Sequence, residues 1–119
     1  EVIGAGDAGV GDDPGFWLAR ARNIGASQAT AEWLLFIDAD ILVSAGWNSW
    51  MQEQLQPGNF YRRDLVEGIR DDDTHGTVIC ARADFVAIGG YDEVYRGWGG
   101  EDEDLYQRLA LAGVAEQTF

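Results

Sequence analysis

The sequence predicts an α/β fold, a sheet flanked by helices, and three observations carry that prediction. Trp33-Leu34-Leu35-Phe36-Ile37 is an unbroken apolar run that stops at Asp38, as expected of a strand covered on both faces in a parallel sheet. Bulky apolar residues recur at helical spacing on either side of it. A second short run, Thr77 to Cys80, precedes further helical spacing, so strands and helices alternate along the chain. Ligands of open α/β sheets bind beyond the carboxyl ends of strands, and Asp38-Ala39-Asp40 occupies such a position.

Taken in order, Glu1 to Ile3 reads as a strand and Gly4 to Gly15 as a loop. Phe16 to Ala31 reads as a helix whose buried face carries Trp17, Ala21 and Ile24 among the polar Arg20, Arg22 and Gln28. After the strand over 33–37, Ser44 is a candidate cap for a helix with Trp47, Trp50, Met51 and Leu55 on one stripe, ended by Pro57-Gly58. Asp64 to Gly76 is polar and without period. The strand over 77–80 leads into a helical turn from Asp84 to Ile88, closed by Gly89-Gly90. A last helix takes its apolar spacing from Leu105, Leu109 and Ala112 and opens on Glu101-Asp102-Glu103-Asp104, where carboxylates suit the positive end of the helix dipole.

A chain of 119 residues makes one domain. Its expected parts are an amino-terminal strand and glycine-rich loop (1–15), a helix, strand, acidic pair and helix (16–60), an acidic loop (61–76), and a catalytic segment (77–119). A hydrophobic share of 46% with 12% aromatic residues supports a real core. The net charge of -13 repels phosphate backbones and anionic lipid surfaces, which argues against nucleic acid and membrane partners and favours divalent cations wherever carboxylates converge. Cys80 is the single cysteine, so no internal disulfide forms, which suits a reducing compartment. With no apolar run long enough to span a bilayer and no basic-then-apolar leader, the expectation is a cytoplasmic chain.

Asp-x-Asp pairs carry little by themselves: 13 Asp residues give about 1.4 such pairs by chance, and short motifs have a known false-positive risk. Three occur, Asp38/Asp40, Asp71/Asp73 and Asp102/Asp104. Asp71 to Asp73 lie in the aperiodic loop and read as a solvated charge run. Asp38/Asp40 follows a buried strand, where two carboxylates can share a hard cation and leave its other positions to water and phosphate. Gly4-Ala5-Gly6-Asp7-Ala8-Gly9 matches the dinucleotide fingerprint. It fails on context, because Gly11 to Gly15 continue a loop where the fingerprint needs a helix, so an oxidoreductase is a distant third reading. In Tyr95-Arg96-Gly97-Trp98-Gly99-Gly100-Glu101-Asp102, glycines around an indole let backbone and ring approach a sugar face, and Asp102 is set to take a proton from a hydroxyl. The residues equally allow a core Trp98 and carboxylates that only cap the helix.

Arg22-Asn23-x-Gly25, the run from Trp33 to Asp40, Gly89-Gly90-Tyr91-Asp92-Glu93 and Gly97-Trp98-Gly99-Gly100-Glu101-Asp102-x-Asp104-Leu105, in this order, resemble the GT-A fold glycosyltransferases. The resemblance is closest to the inverting family 2 enzymes and the galactosyltransferase carboxyl-terminal module, and it runs from about Leu18 to Gly113. It implies a truncated, Rossmann-like GT-A sheet and transfer of a sugar from a nucleotide-diphospho-sugar donor to a carbohydrate acceptor hydroxyl. It makes Asp40 a ligand of Mn²⁺ or Mg²⁺, with Asp38 on the donor ribose or the metal's water, and Asp102 the general base. Arg22, Trp98, Gly99, Gly100, Glu101 and Glu103 fall at substrate-binding positions.

Set against the family pattern, the expectation is of a chain without the strand, helix and strand that hold the nucleotide and without the metal-binding His that the family often places downstream. His75 lies upstream and reads as a loop residue. The second reading is therefore a non-catalytic interaction or assembly module that keeps part of the fold. A sheet without its first strands, together with five Trp residues, leads to the expectation of a homodimer using the amino-terminal segment.

Overall fold

A computed structural model describes residues 1–4, 17–63, 74–97 and 99–119. The glycine-rich fingerprint beyond Gly4, Asp71 to Asp73 and Trp98 lie outside the described residues. In chain order the elements are β1 (Val2–Gly4), α1 (Leu18–Gln28), β2 (Trp33–Ile37), α2 (Trp47–Gln54), β3 (Asn59–Arg62), β4 (Val78–Ala81), α3 (Arg82–Ala87), α4 (Glu101–Leu111) and β5 (Ala115–Thr118). The strands form one sheet in the order β1-β2-β4-β3-β5.

Alternation of side chains along the strands divides the core between the two faces of the sheet. Leu34 and Phe36 of β2, Val78 and Cys80 of β4 and Phe60 of β3 share one cluster with Ala19 and Ala26 of α1, Phe85 of α3 and Leu105, Tyr106 and Leu109 of α4. Tyr61 and Ile79 share the other with Met51 of α2, packed against Trp33, Leu35, Trp47, Leu55 and Phe119. Both faces of β2 are therefore covered, which is what its unbroken apolar run reports. The sheet itself is mixed rather than parallel: β1 runs parallel to β2 and β5 to β3, whereas β4 is antiparallel to both β2 and β3. Coverage by helices makes a strand apolar on both faces whichever way its neighbours run, so composition could not separate the two arrangements.

Four expectations about helices are corrected. The buried face of α1 is Leu18, Ala19, Arg22 and Ala26, not Trp17, Ala21 and Ile24. Ile24 is 54% exposed, because small side chains bring α1 close to the sheet while Arg22 is admitted by carboxylates waiting inside. Ser44 is not a side-chain cap: α2 starts after Gly46, at φ 80°, and Ser44 contributes only its carbonyl to the amide of Trp47 at 3.1 Å. Trp50 falls off the expected stripe and is 48% exposed. On α4 the inward residues are Glu101, Leu105, Tyr106 and Leu109, and Ala112 is the exposed C-cap.

Two strands had no signal. β3 overlaps the start of the expected acidic loop over 61–76, and β5 follows α4 with all four side chains exposed. Pairing in register from Asn59 with Ala115 to Arg62 with Thr118 makes Ala-Glu-Gln-Thr a strand, since ladder hydrogen bonds need no apolar pattern.

Candidate active site

The four quoted motifs meet at one place, beyond the carboxyl end of β2 and at the amino end of α4. Asp38 is the first residue after β2, in a turn closed by the Ile41 amide on its carbonyl at 3.1 Å. Asp102 sits in the first turn of α4, after Gly100. Between them lies Arg22 of α1, its side chain fully buried. Arg22 Nη2 donates to Asp38 Oδ1 at 2.9 Å, and Nη1 donates to Asp102 Oδ1 at 3.0 Å, the Tyr91 hydroxyl at 3.0 Å and the Gly76 carbonyl at 3.3 Å.

The neighbouring Asn23 ties the third motif to the same helix. Its amide nitrogen donates to the Tyr91 carbonyl at 2.8 Å and to Glu93 at 3.0 Å, and its oxygen accepts the Tyr91 amide at 2.9 Å. The glycine-rich approach to α4 is held at its start by a bridge between Trp17 and Gly97, with Arg96 stacked 3.8 Å over the Trp17 ring. Gly100 has φ 94°, and a Cβ there would lie 2.7 Å from the Tyr95 ring. Only glycine meets both conditions.

Asp38, His75, Gly76, Gly99, Gly100, Glu101, Asp102 and Glu103 line one cavity of about 280 Å³, with Leu18 at its wall. Burial raises the Asp102 carboxyl above its ordinary range, against the pull of Arg22 and His75. The ion pair with Arg22 is thus outweighed by desolvation. Burial likewise opposes the Arg22 charge, but Tyr91, Asp102 and Asp38 around it keep the guanidinium firmly protonated. Burial also raises Glu101, which is 4% exposed, against the opposing pull of nearby backbone amides and Arg22.

Of the residues nominated from sequence, Asp38, Asp102, Gly99, Gly100, Glu101 and Glu103 come together in this cavity, with Arg22 behind it. Asp40 is exposed in the turn outside it. Among the described residues, no group of three or more His, Cys, Asp or Glu side chains is arranged to hold a metal ion. Three contributors went unnominated. His75, read as a loop residue, lies in a turn where its Nε2 is 3.2 Å from Glu103 and its Nδ1 is 3.4 Å from Arg62. Tyr91 and Gly76 bond Arg22. Tyr91 stood inside a quoted motif, but nothing in that motif says where its hydroxyl points.

The fold has counterparts among known proteins. A family model described as the N-terminal domain of galactosyltransferase matches residues 73–119. A crystal structure of the catalytic domain of Drosophila β-1,4-galactosyltransferase 7 in complex with xylobiose superposes at a TM-score of 0.64 and 19% identity, covering 87% of this chain and 45% of that one. A mutant of the same enzyme in complex with manganese, UDP-Gal and xylobiose superposes at 0.63 with the same coverage. The chain carries part of the GT-A fold of these structures.

Sequence similarity to this GT-A group is local. β-1,4-Galactosyltransferase 1 of Bos taurus is 42% identical over 40 residues, 34% of this chain and 10% of the relative. β-1,4-Galactosyltransferase 2 of Homo sapiens is 44% identical over 34 residues, 29% of this chain and 9% of the relative. Validoxylamine A glucosyltransferase of Streptomyces hygroscopicus subsp. jinggangensis is 53% identical over 32 residues, 27% of this chain and 8% of the relative. The matched stretches span about a tenth of these curated relatives or less.

Proposed function

We propose that this chain takes part in transferring a sugar from a nucleotide-diphospho-sugar to an acceptor hydroxyl, with inversion at the anomeric carbon. The observation that carries this reading is the pairing of Asp38 and Asp102 at one cavity, each tied to the same buried guanidinium. Asp102 is the general base. In the step proposed, the acceptor oxygen forms a bond to the anomeric carbon, the bond from that carbon to the diphosphate oxygen breaks, and its electron pair leaves with the diphosphate. The acceptor proton passes to the Asp102 carboxylate. A carboxyl whose pKa is raised by burial is a stronger base than a free aspartate and suits this task.

UDP-galactose is the proposed donor, since galactosyltransferases dominate the similarities. Glu103 at the rim orients the acceptor, a task that the family resemblance also gives to Trp98. Asp40 fits Mn²⁺ or Mg²⁺ in donor type, being an exposed hard oxygen ligand. Asp38 is the lesser candidate, since one of its oxygens is engaged by Arg22. A divalent cation held there would offset charge on the leaving diphosphate.

Calorimetry with Mn²⁺ and UDP-galactose, followed by NMR detection of the product anomer, tests the reading. Asp102→Asn is expected to lose transfer and keep Mn²⁺ binding. Asp40→Ala should abolish Mn²⁺ binding where Asp72→Ala does not. Full turnover by Asp102→Asn, or the reverse metal result, would remove the assignment. One observation favours the second reading, a non-catalytic assembly module: Asp40 lies outside the cavity that Asp38 and Asp102 line. Donor binding without turnover is its signature.

A further inference from the structure

The sequence resemblance puts Arg22 at a substrate-binding position, but its surroundings point elsewhere. The side chain is completely buried, and its two terminal nitrogens are engaged by two carboxylates, a hydroxyl and a carbonyl of the protein itself. The Phe36 and Tyr91 rings lie 5.9 Å and 5.5 Å from its guanidinium carbon. Its Nε has no partner among the described residues but is buried with the rest of the side chain, out of reach of a ligand in the cavity.

We infer that Arg22 is a positioning residue: it clamps Asp38, on the strand side of the cavity, to Asp102, on the helix side, and touches neither donor nor acceptor. A guanidinium is a planar fork with fixed donor directions, so it sets the distance between two carboxylates in a way that a lysine ammonium cannot. It engages Oδ1 of each carboxylate and leaves the second oxygen of each to the reaction. Gly76 completes the clamp by accepting from the same nitrogen that holds Asp102. The inference rests on the reading of Asp102 as acceptor base, and it adds that the orientation of this base is set from α1, remote from it in sequence.

The test uses the full chain with Arg22→Lys, Arg22→Met, Asp102→Asn and the Arg22→Met/Asp102→Asn double variant. UDP release from UDP-galactose with Mn²⁺ is followed with xylobiose or water as acceptor. Misplacing a reacting group by about 1 Å costs about 100-fold in rate. Arg22→Met should therefore lower kcat by about that factor, with KM for UDP-galactose changed less than about threefold, and Arg22→Lys should recover part of the loss. A KM raised tenfold or more at unchanged kcat would make Arg22 a substrate contact and overturn the inference.

Absence of turnover in the wild-type chain would defeat the functional reading alone, and thermal unfolding then decides the clamp. Loss of either partner leaves a buried charge exposed to desolvation, so the double variant should have a Tm no lower than that of the single variants. Additive losses of Tm would overturn the clamp. If Arg22→Met does not fold, Arg22→Lys with and without Asp102→Asn carries the same comparison.

Discussion

A methyl group at position 76 would lie 3.0 Å from Oδ2 of Asp102 and 3.3 Å from a terminal nitrogen of Arg22. Both neighbours are held by ion pairs, so neither gives way without disturbing the other. Gly76→Ala is therefore expected to cost about 1–3 kcal/mol of stability as local overpacking and about 10- to 100-fold in transfer through the displaced base. Urea unfolding and turnover measure the two, and an unchanged kcat would separate Gly76 from the site. The raised Asp102 carboxyl makes a second expectation at this scale. A base must be deprotonated to work, so activity falls as pH drops through its pKa. Burial places that acidic limb above the ordinary aspartate value of 3.8. A profile of kcat/KM against pH should show this limb, and a limb at or below the ordinary value would count against Asp102.

Among the elements, α1 organises the site. Arg22 points inward to the acidic residues, and Asn23, one position along, pairs with both backbone polar groups of Tyr91. These bonds explain why the Arg-Asn, Gly-Gly-Tyr and Glu-Asp motifs occur together: they are three sides of one joint. Asn23→Ala leaves the Tyr91 amide and carbonyl without their partner, in a setting where such groups cost about 1–3 kcal/mol each. Unfolding midpoints in urea should drop accordingly, while the conservative Asn23→Asp keeps an acceptor for the amide and loses less. An unaffected midpoint in Asn23→Ala would mean that the joint is held elsewhere. The last helix has a comparable device, since its first four residues are all acidic and its N-cap is a glycine with no side-chain bond. The dipole accepts those charges, and one of them, Asp104, also pairs with Arg108 at 2.8 Å.

For the whole molecule, the described sheet has β1 at one edge and β5 at the other. Leu42, Val43 and Trp50 are exposed around one cavity, and apolar surface of that kind recruits a partner, so a homodimer is proposed, opposed by a net charge of -13. Salt screens such repulsion beyond about 8 Å at physiological strength. Light scattering should show a mass twice that of the chain, with the dimer fraction rising with salt. A monomer at every salt and protein concentration would refute it.

The sequence by itself determined the α/β class, the buried β2, the end of that strand at Asp38 and the acidic opening of α4. Each of these is a local matter of apolar runs, helical spacing and helix ends, which neighbouring residues express directly. Only the tertiary structure decided that the sheet is mixed and that Ala115–Thr118 is a strand, because both depend on pairing between distant segments. The same holds at the site. Arg22 read as a polar residue of an amphipathic helix, since hydropathy cannot record that Asp38 and Asp102 meet it in the interior. His75 read as a loop residue, since its nearness to Glu103 and Arg62 exists only once β3, α4 and the turn before β4 have packed together.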